Sequence, residues 1–249
     1  MVGTYIKSIE VNQLWQGGHH VRLDFKSGVN VLSGMNGVGK STIISMIAKG
    51  LQRLNSGESL DEYGVNMVFE PEGTNHLRYN FIKSFDSPLM TVAQIEAINN
   101  PDIRTYLDWK LWKIQRAERL TENAQWPGFC DLVDDLFKDT GKLIDRESNV
   151  LRFFQMDNII GVHQLSAGEK NLLIILLTVL TTDTQPGVLL LDEPEICLHI
   201  DWQQRLLDDI LMLNPNLQII LSTHSPSIVM NGWLDTITEV SDSYVKPTH

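Results

Sequence analysis

The first third of the chain alternates. Val21, Leu23 and Phe25 interleave with Arg22, Asp24 and Lys26, the period of two that marks a strand buried on one face. Tyr5 to Val11 reads as a strand before it and Val29 to Ser33 as a strand after it, so residues 4–33 are predicted β. The period then changes. Ile43, Ile44, Met46, Ile47 and Leu51 recur at helical spacing and give an inward face to a helix over Ser41 to Leu51. Residues 53–66 are polar with two glycines and read as a connection. Met67 to Glu70 and Arg78 to Ser84 are short strand candidates around the turn Pro71 to Asn75.

From about residue 89 to 140 the pattern is helical. Leu107, Leu111 and Ile114 share a face, with Trp109 and Trp112 alongside and Lys110, Lys113, Arg116, Glu118 and Arg119 on the rest, which predicts an amphipathic helix of about 20 residues. Its Trp and Lys/Arg mixture fits either a contact surface or a packed lobe with a solvated face, and the packed lobe is the plainer reading. Pro127-Gly128 is expected to break this helix, and a shorter one is expected near Asp131 to Lys138. Asn171 to Leu180 is a strongly apolar helix. Val188 to Leu191 and Leu217 to Ser222 are apolar runs of the kind that form buried parallel strands. These elements predict an α/β fold with a mainly parallel core sheet, an N-terminal antiparallel β layer and an inserted helical lobe over about residues 89–165.

Composition narrows the classes. Of 249 residues, 43% are hydrophobic and 20% charged, the profile of a globular protein large enough for one good core or two packed lobes. The net charge of -11 argues against a general nucleic-acid coat, which needs a basic face, while leaving room for a local basic groove. Cys130 and Cys197 have no metal-ligand spacing and suggest no disulfide framework, as in a reducing cytoplasm. The first residues lack the apolar core of a secretion signal. The longest apolar run, Leu172 to Leu180, has nine residues with one Thr among them, where a membrane span needs about 20.

The chemistry concentrates in four stretches. Gly34-Met35-Asn36-Gly37-Val38-Gly39-Lys40-Ser41-Thr42 reads G-x-x-x-x-G-K-S between a predicted strand and a predicted helix, the context a phosphate-cradling loop needs. Glycines let backbone N–H groups turn inward, the helix start attracts anions, Lys40 can reach the β- and γ-phosphates, and the Ser41 hydroxyl can ligate Mg²⁺. A plain glycine turn before an ordinary helix is the alternative. Val188 to Leu191 runs straight into Asp192 and Glu193, acids at the functional edge of a buried strand. There Asp192 would hold Mg²⁺ and Glu193 would polarise an attacking water. Glu195 fits better as a cap for the next helix. His224 follows the next strand, 32 residues after Asp192, and should reach the same crevice. Leu165-Ser166-Ala167-Gly168-Glu169-Lys170, ahead of the apolar helix, is a second anion-binding helix start, which makes sense if it closes on the nucleotide of another subunit. Trp15 fits an adenine stack or a turn support, and His19-His20 read as solvated loop residues.

Together, Gly34–Thr42, Leu165–Lys170, Leu189–Glu193 and His224 resemble an ABC-type ATPase: Walker A, signature, Walker B with its catalytic Glu, and switch His. The resemblance implies ATP and Mg²⁺ as cofactors, a nucleotide-binding lobe of residues 1–88 and 166–249, and head-to-tail dimers. In such a dimer each ATP lies between Asn36 to Thr42 of one copy and Ser166 and Gly168 of the other. Asp-Glu-Pro-Glu-Ile-x-Leu-His and Thr-His-Ser-Pro look like the RecF, SMC and OLD branch, and the chain is similar to small AAA ATPases of bacterial anti-phage defence operons. Phe81 to Asp86 stands where a Q-loop would lie, without its glutamine, and His199 stands where transporter ATPases carry an Asp. Between Thr42 and Ser166 lie 123 residues, too few for a long coiled-coil arm, and 25 residues follow His224, too few for a TOPRIM nuclease domain. The expectation is therefore a cytoplasmic ATPase acting on a separate effector, such as a TOPRIM-type nuclease, with nucleic acid as a further partner class. A transporter nucleotide-binding subunit and a slow-turnover ATP-dependent scaffold are the alternatives.

Overall fold

The computed structural model describes residues 3–14, 19–60, 64–83, 105–117 and 119–244. The chain divides into two compact units, one of residues 1–84, 185–195 and 216–249 and one of residues 85–184 and 196–215.

The first unit has two sheets. β1 (Tyr5–Val11) pairs antiparallel with β2 (Val21–Asp24) on one side and β4 (Val65–Glu70) on the other. The second sheet has the order β11-β3-β10-β9-β5, with β3 at Val29–Ser33, β5 at Tyr79–Lys83, β9 at Gly187–Asp192, β10 at Leu217–Ser222 and β11 at Ile237–Glu239. Every pairing in it is parallel. The helix α1 (Lys40–Asn55) buries Ile43, Ile44, Ile47 and Leu51 among core residues drawn from both sheets. Each of these side chains is worth roughly 1.5–3 kcal/mol over the exposed state. β9 and β10 are buried at all six positions each, as their largely apolar sequences predict. The one polar residue inside β10, Gln218, is satisfied. Its Oε1 accepts from the Ile6 N–H at 2.9 Å, and its Nε2 donates to the Ile6 and Lys26 carbonyls at 2.8 and 2.9 Å.

The second unit holds four helices among its described residues: α2 (Tyr106–Ala117), α3 (Trp126–Leu136), α4 (Ala167–Leu180) and α5 (Ile200–Leu213). α4 is buried at every position from Gly168 to Leu177 and packs on α2, α3 and α5. For that reason residues 166–184 and 196–215, placed by sequence with the nucleotide-binding lobe, group by contact with this unit. Pro127-Gly128 does not end a helix. It occupies the first turn of α3, where the missing proline N–H has no intrahelical partner to lose. Residues 142–161, expected within a helical lobe, form a three-stranded antiparallel sheet of β6 (Lys142–Ile144), β7 (Arg152–Gln155) and β8 (Asn158–Gly161). Its Ile144, Phe153 and Ile160 row is buried, while the Leu143, Phe154 and Ile159 row faces out. No helix among the described residues is long and apolar enough to cross a membrane.

Candidate active site

Three adjacent strands bring the site together. β3 runs into the glycine loop, β9 ends at Asp192, and β10 lies between them with Ser222 in register with Asp192. The residues following these strands therefore converge at one sheet edge, where open α/β sheets hold their ligands. Asn36, Gly37, Gly39, Lys40, Ser41, Thr42, Glu193 and His224 line a single cleft of about 670 Å³ there.

Gly39 caps α1 at φ 96°, in the left-handed region that a side chain strains, and the first turn of the helix carries no acid. The positive end of the helix is thus unneutralised and open to an anion. Lys40 is 4% exposed, and its Nζ donates to the loop's own carbonyls, Gly34 O at 2.7 Å and Met35 O at 3.2 Å. Burial lowers the Lys40 pKa, and Glu193, Glu239, Asp192 and Glu195 oppose that shift. A nucleotide triphosphate would add negative charge to a cleft lined by Glu193, with Glu239, Asp192 and Glu195 near enough to act on Lys40, so a divalent cation fits the site electrostatically. Among the described residues no group of three or more His, Cys, Asp or Glu is arranged to hold a metal. Ser41 lines the cleft and Asp192 ends the neighbouring strand, so these two could supply the protein oxygens for an ion that takes the rest from phosphate and water, as Mg²⁺ prefers.

Asp192 is 2% exposed, and its Oδ1 accepts from the Ser222 hydroxyl at 2.6 Å. Glu193 holds φ 50°, an unusual conformation for a non-glycine residue. Its N–H is fixed by the Ser222 carbonyl at 3.0 Å and the Ser222 hydroxyl at 3.2 Å. That turn aims the Glu193 carboxylate across the cleft, 3.5 Å from His224 Nε2.

Other sequence expectations come out differently. Glu195 does not cap the next helix. The cap of α5 is His199, whose ring accepts from the Asp201 N–H, and Glu195 instead bonds the 223–225 loop. His19 is an exposed loop residue, as expected, and stacks on Tyr244, while His20 is half-buried and pairs with Glu10 at 2.7 Å. Trp15 and residues 84–86 of the proposed Q-loop lie outside the described residues, while Phe81–Lys83 end β5 with Lys83 in register with Asp192. Ser222 escaped notice because it reads as the last residue of an apolar strand. Two contacts to the loop from the C-terminal part of the chain carry no local signal. Glu239 accepts from Ser33 at 3.2 Å, and the Tyr244 hydroxyl donates to the Val38 carbonyl at 2.9 Å.

Ser166 and Gly168 belong to the second unit. Ser166 caps α4 in a reciprocal box: its Oγ accepts from the Glu169 N–H at 3.2 Å, and its own N–H donates to Glu169 Oε2 at 2.8 Å. Glu169 Oε1 accepts from Lys142 at 2.9 Å. Beside them Lys170 pairs with Asp108 at 2.8 Å, a second buried ion pair at this helix start.

A family model described as "AAA domain, putative AbiEii toxin, Type IV TA system" matches residues 94–231. Septu protein PtuA of Bacillus thuringiensis is 23% identical over 320 residues, covering 97% of this chain and 78% of that protein. The retron Vc95 probable ATPase of Vibrio cholerae serotype O1 biovar El Tor is 35% identical over 81 residues, covering 28% of this chain and 16% of that protein. Among solved structures, the SMC head bound to the C-winged helix domain of ScpA aligns with a TM-score of 0.58 at 16% identity over 91% of each chain. The SMC head domain from Thermotoga maritima aligns with a TM-score of 0.51 at 17% identity, again over 91% of each. At these identities the likeness is one of fold, and the fold is that of the SMC head domains.

Proposed function

We propose a function from family and geometry together: the chain belongs to the AAA-domain family whose model matches residues 94–231, and it acts by binding and hydrolysing ATP. Residues 36–42 bind the phosphates, with Lys40 on the β and γ groups. Ser41 and Asp192 hold Mg²⁺, which supplies charge neutralisation and orients the phosphates. Glu193 polarises the attacking water, and His224 hydrogen-bonds the γ-phosphate and that water. The observation that carries this is one cleft lined by Lys40, Glu193 and His224.

In the same reading two copies meet head to tail, Ser166 and Gly168 of each closing on the nucleotide of the other, and hydrolysis releases the pair. Ser166 and Gly168 stand at the start of α4, a helix end of the kind that attracts anions, which supports that role. The cycle controls a separate effector polypeptide, such as a TOPRIM-type nuclease, in cytoplasmic anti-phage defence or DNA maintenance, with nucleic acid as a further partner class.

The test is phosphate release by the wild type against Glu193→Gln, with light scattering on both. Wild type should turn over Mg-ATP. The Gln variant should still bind ATP, turn over about 10²-fold slower or less, and accumulate as a dimer or larger. A wild type that binds no nucleotide sinks the proposal, and one that stays monomeric in both forms ends the head-to-tail part.

A further inference from the structure

We infer that Glu195 is the positioning residue of the His224 loop, a role that rests on the ATPase reading above. Its Oε1 accepts three hydrogen bonds from three consecutive residues: Thr223 Oγ1 at 2.8 Å, the His224 N–H at 2.7 Å and the Ser225 N–H at 3.2 Å. The Ser225 N–H also reaches Thr223 Oγ1 at 2.9 Å, which closes the loop on itself around the carboxylate. Successive backbone N–H groups converging on one anion form a rigid nest, and a charged acceptor strengthens each bond.

Glu195 stands two residues beyond Glu193, in the same turn after β9. That turn therefore sets both members of the pair that faces across the cleft. It presents Glu193 through its own backbone, tied to Ser222, and it presents His224 through the carboxylate of Glu195. The 3.5 Å between His224 Nε2 and Glu193 Oε1 follows from this one clamp. Without it the 223–225 loop loses these three hydrogen bonds, and a shift of an ångström at a catalytic group costs on the order of 10²-fold in rate.

Glu195 also carries charge that Lys40 feels, so a purely electrostatic role has to be told apart from a geometric one. The two make opposite predictions for conservative variants. Glu195→Gln keeps an oxygen at full reach and removes the charge. Glu195→Asp keeps the charge and falls one methylene short of the loop. The other oxygen, Oε2, is enclosed without a hydrogen-bond partner among the described residues, so an amide nitrogen placed there gains nothing, and the Gln variant should be weakened but not abolished.

The experiment measures kcat and KM for Mg-ATP in the full chain for wild type and for Glu195→Ala, Glu195→Asp and Glu195→Gln. Ala and Asp should lose about 10- to 100-fold in kcat with KM within about 3-fold of wild type, while Gln loses less than 10-fold. Should the Ala variant fail to fold, the Asp and Gln pair decides. A wild type that hydrolyses ATP, with Glu195→Ala equal to it or with Asp outperforming Gln, overturns the inference and leaves the ATPase reading standing. A wild type without turnover ends both.

Discussion

The hydroxyl of Ser222 donates to Oδ1 of Asp192 at 2.6 Å across adjacent parallel strands, with both residues buried. The bond fixes the rotamer of a carboxylate that would otherwise be enclosed and under-bonded. Hydrogen bonds to charged groups contribute about 1.5–3 kcal/mol. Ser222→Ala should therefore lower the melting temperature by roughly 4–8 °C and weaken Mg²⁺-dependent ATP binding in titration calorimetry. A melting temperature within a degree of wild type would show that Asp192 needs no such support.

Gly168 predicts a separate cost. A β-carbon built there would sit 2.3 Å from the Cys197 carbonyl oxygen and 3.7 Å from the Trp202 ring. The first contact is with backbone, which cannot swing away as a side chain can. Gly168→Ala should destabilise the nucleotide-free protein by about 1–3 kcal/mol, seen in thermal melts before any ATP is added. Loss of activity with an unchanged melt would mean that the glycine serves nucleotide closure alone.

The Glu169–Lys142 pair predicts a pH dependence. Burial raises the Glu169 pKa, but hydrogen bonds from Lys142 and Ser166 outweigh it, and the net shift is downward. The unfolded chain thus binds more protons at acid pH, so the stabilisation is complete above the ordinary carboxyl value of 4.5 and is lost as pH falls through the lower folded value. Glu169→Gln, which leaves Lys142 buried without its partner, should cost about 3–5 kcal/mol at pH 7. It should also flatten the acid limb of a urea-midpoint profile. A limb as steep as in wild type would place the titration elsewhere.

The two cysteines should differ in reactivity. Burial pushes the Cys130 thiol up to about 12, while Cys197 is exposed. At pH 8 the thiolate fraction of Cys130 is on the order of one part in 10⁴. Iodoacetamide should label Cys197 alone in the native protein and both in denaturant, as read by intact mass. Rapid native labelling of Cys130 would contradict the burial seen here.

Much of the site was legible because its parts are contiguous in sequence. The glycine loop, Asp192 and Glu193 each follow an apolar strand, and β3 falls at Val29–Ser33 as read. What escaped depends on distance or on weak local signals. Glu195 finds its partners 28 to 30 positions downstream, so no local pattern could show that it clamps a loop rather than capping a helix. The β7–β8 hairpin turns on Met156 at φ 52°, where a sequence reader looks for Asn or Gly. Its strands of four residues, carrying Arg152 and Gln155, have little room to display a period. Pro127-Gly128 misled because proline marks helix beginnings as well as ends.

β10 sits between β3 and β9, yet of these three strands it is the last to be synthesised. Val29 pairs with Ile219, 190 positions later. Among the described residues β3 has no sheet neighbour other than β10 and β11, so a nascent chain that has long since made its glycine loop still carries an unpaired apolar strand beside it. Contacts this remote close slowly and leave edges open to aggregation while they wait. In newly made protein the cleft between these strands thus closes only after β10 has been made, and the interval before that is when a chaperone would matter most.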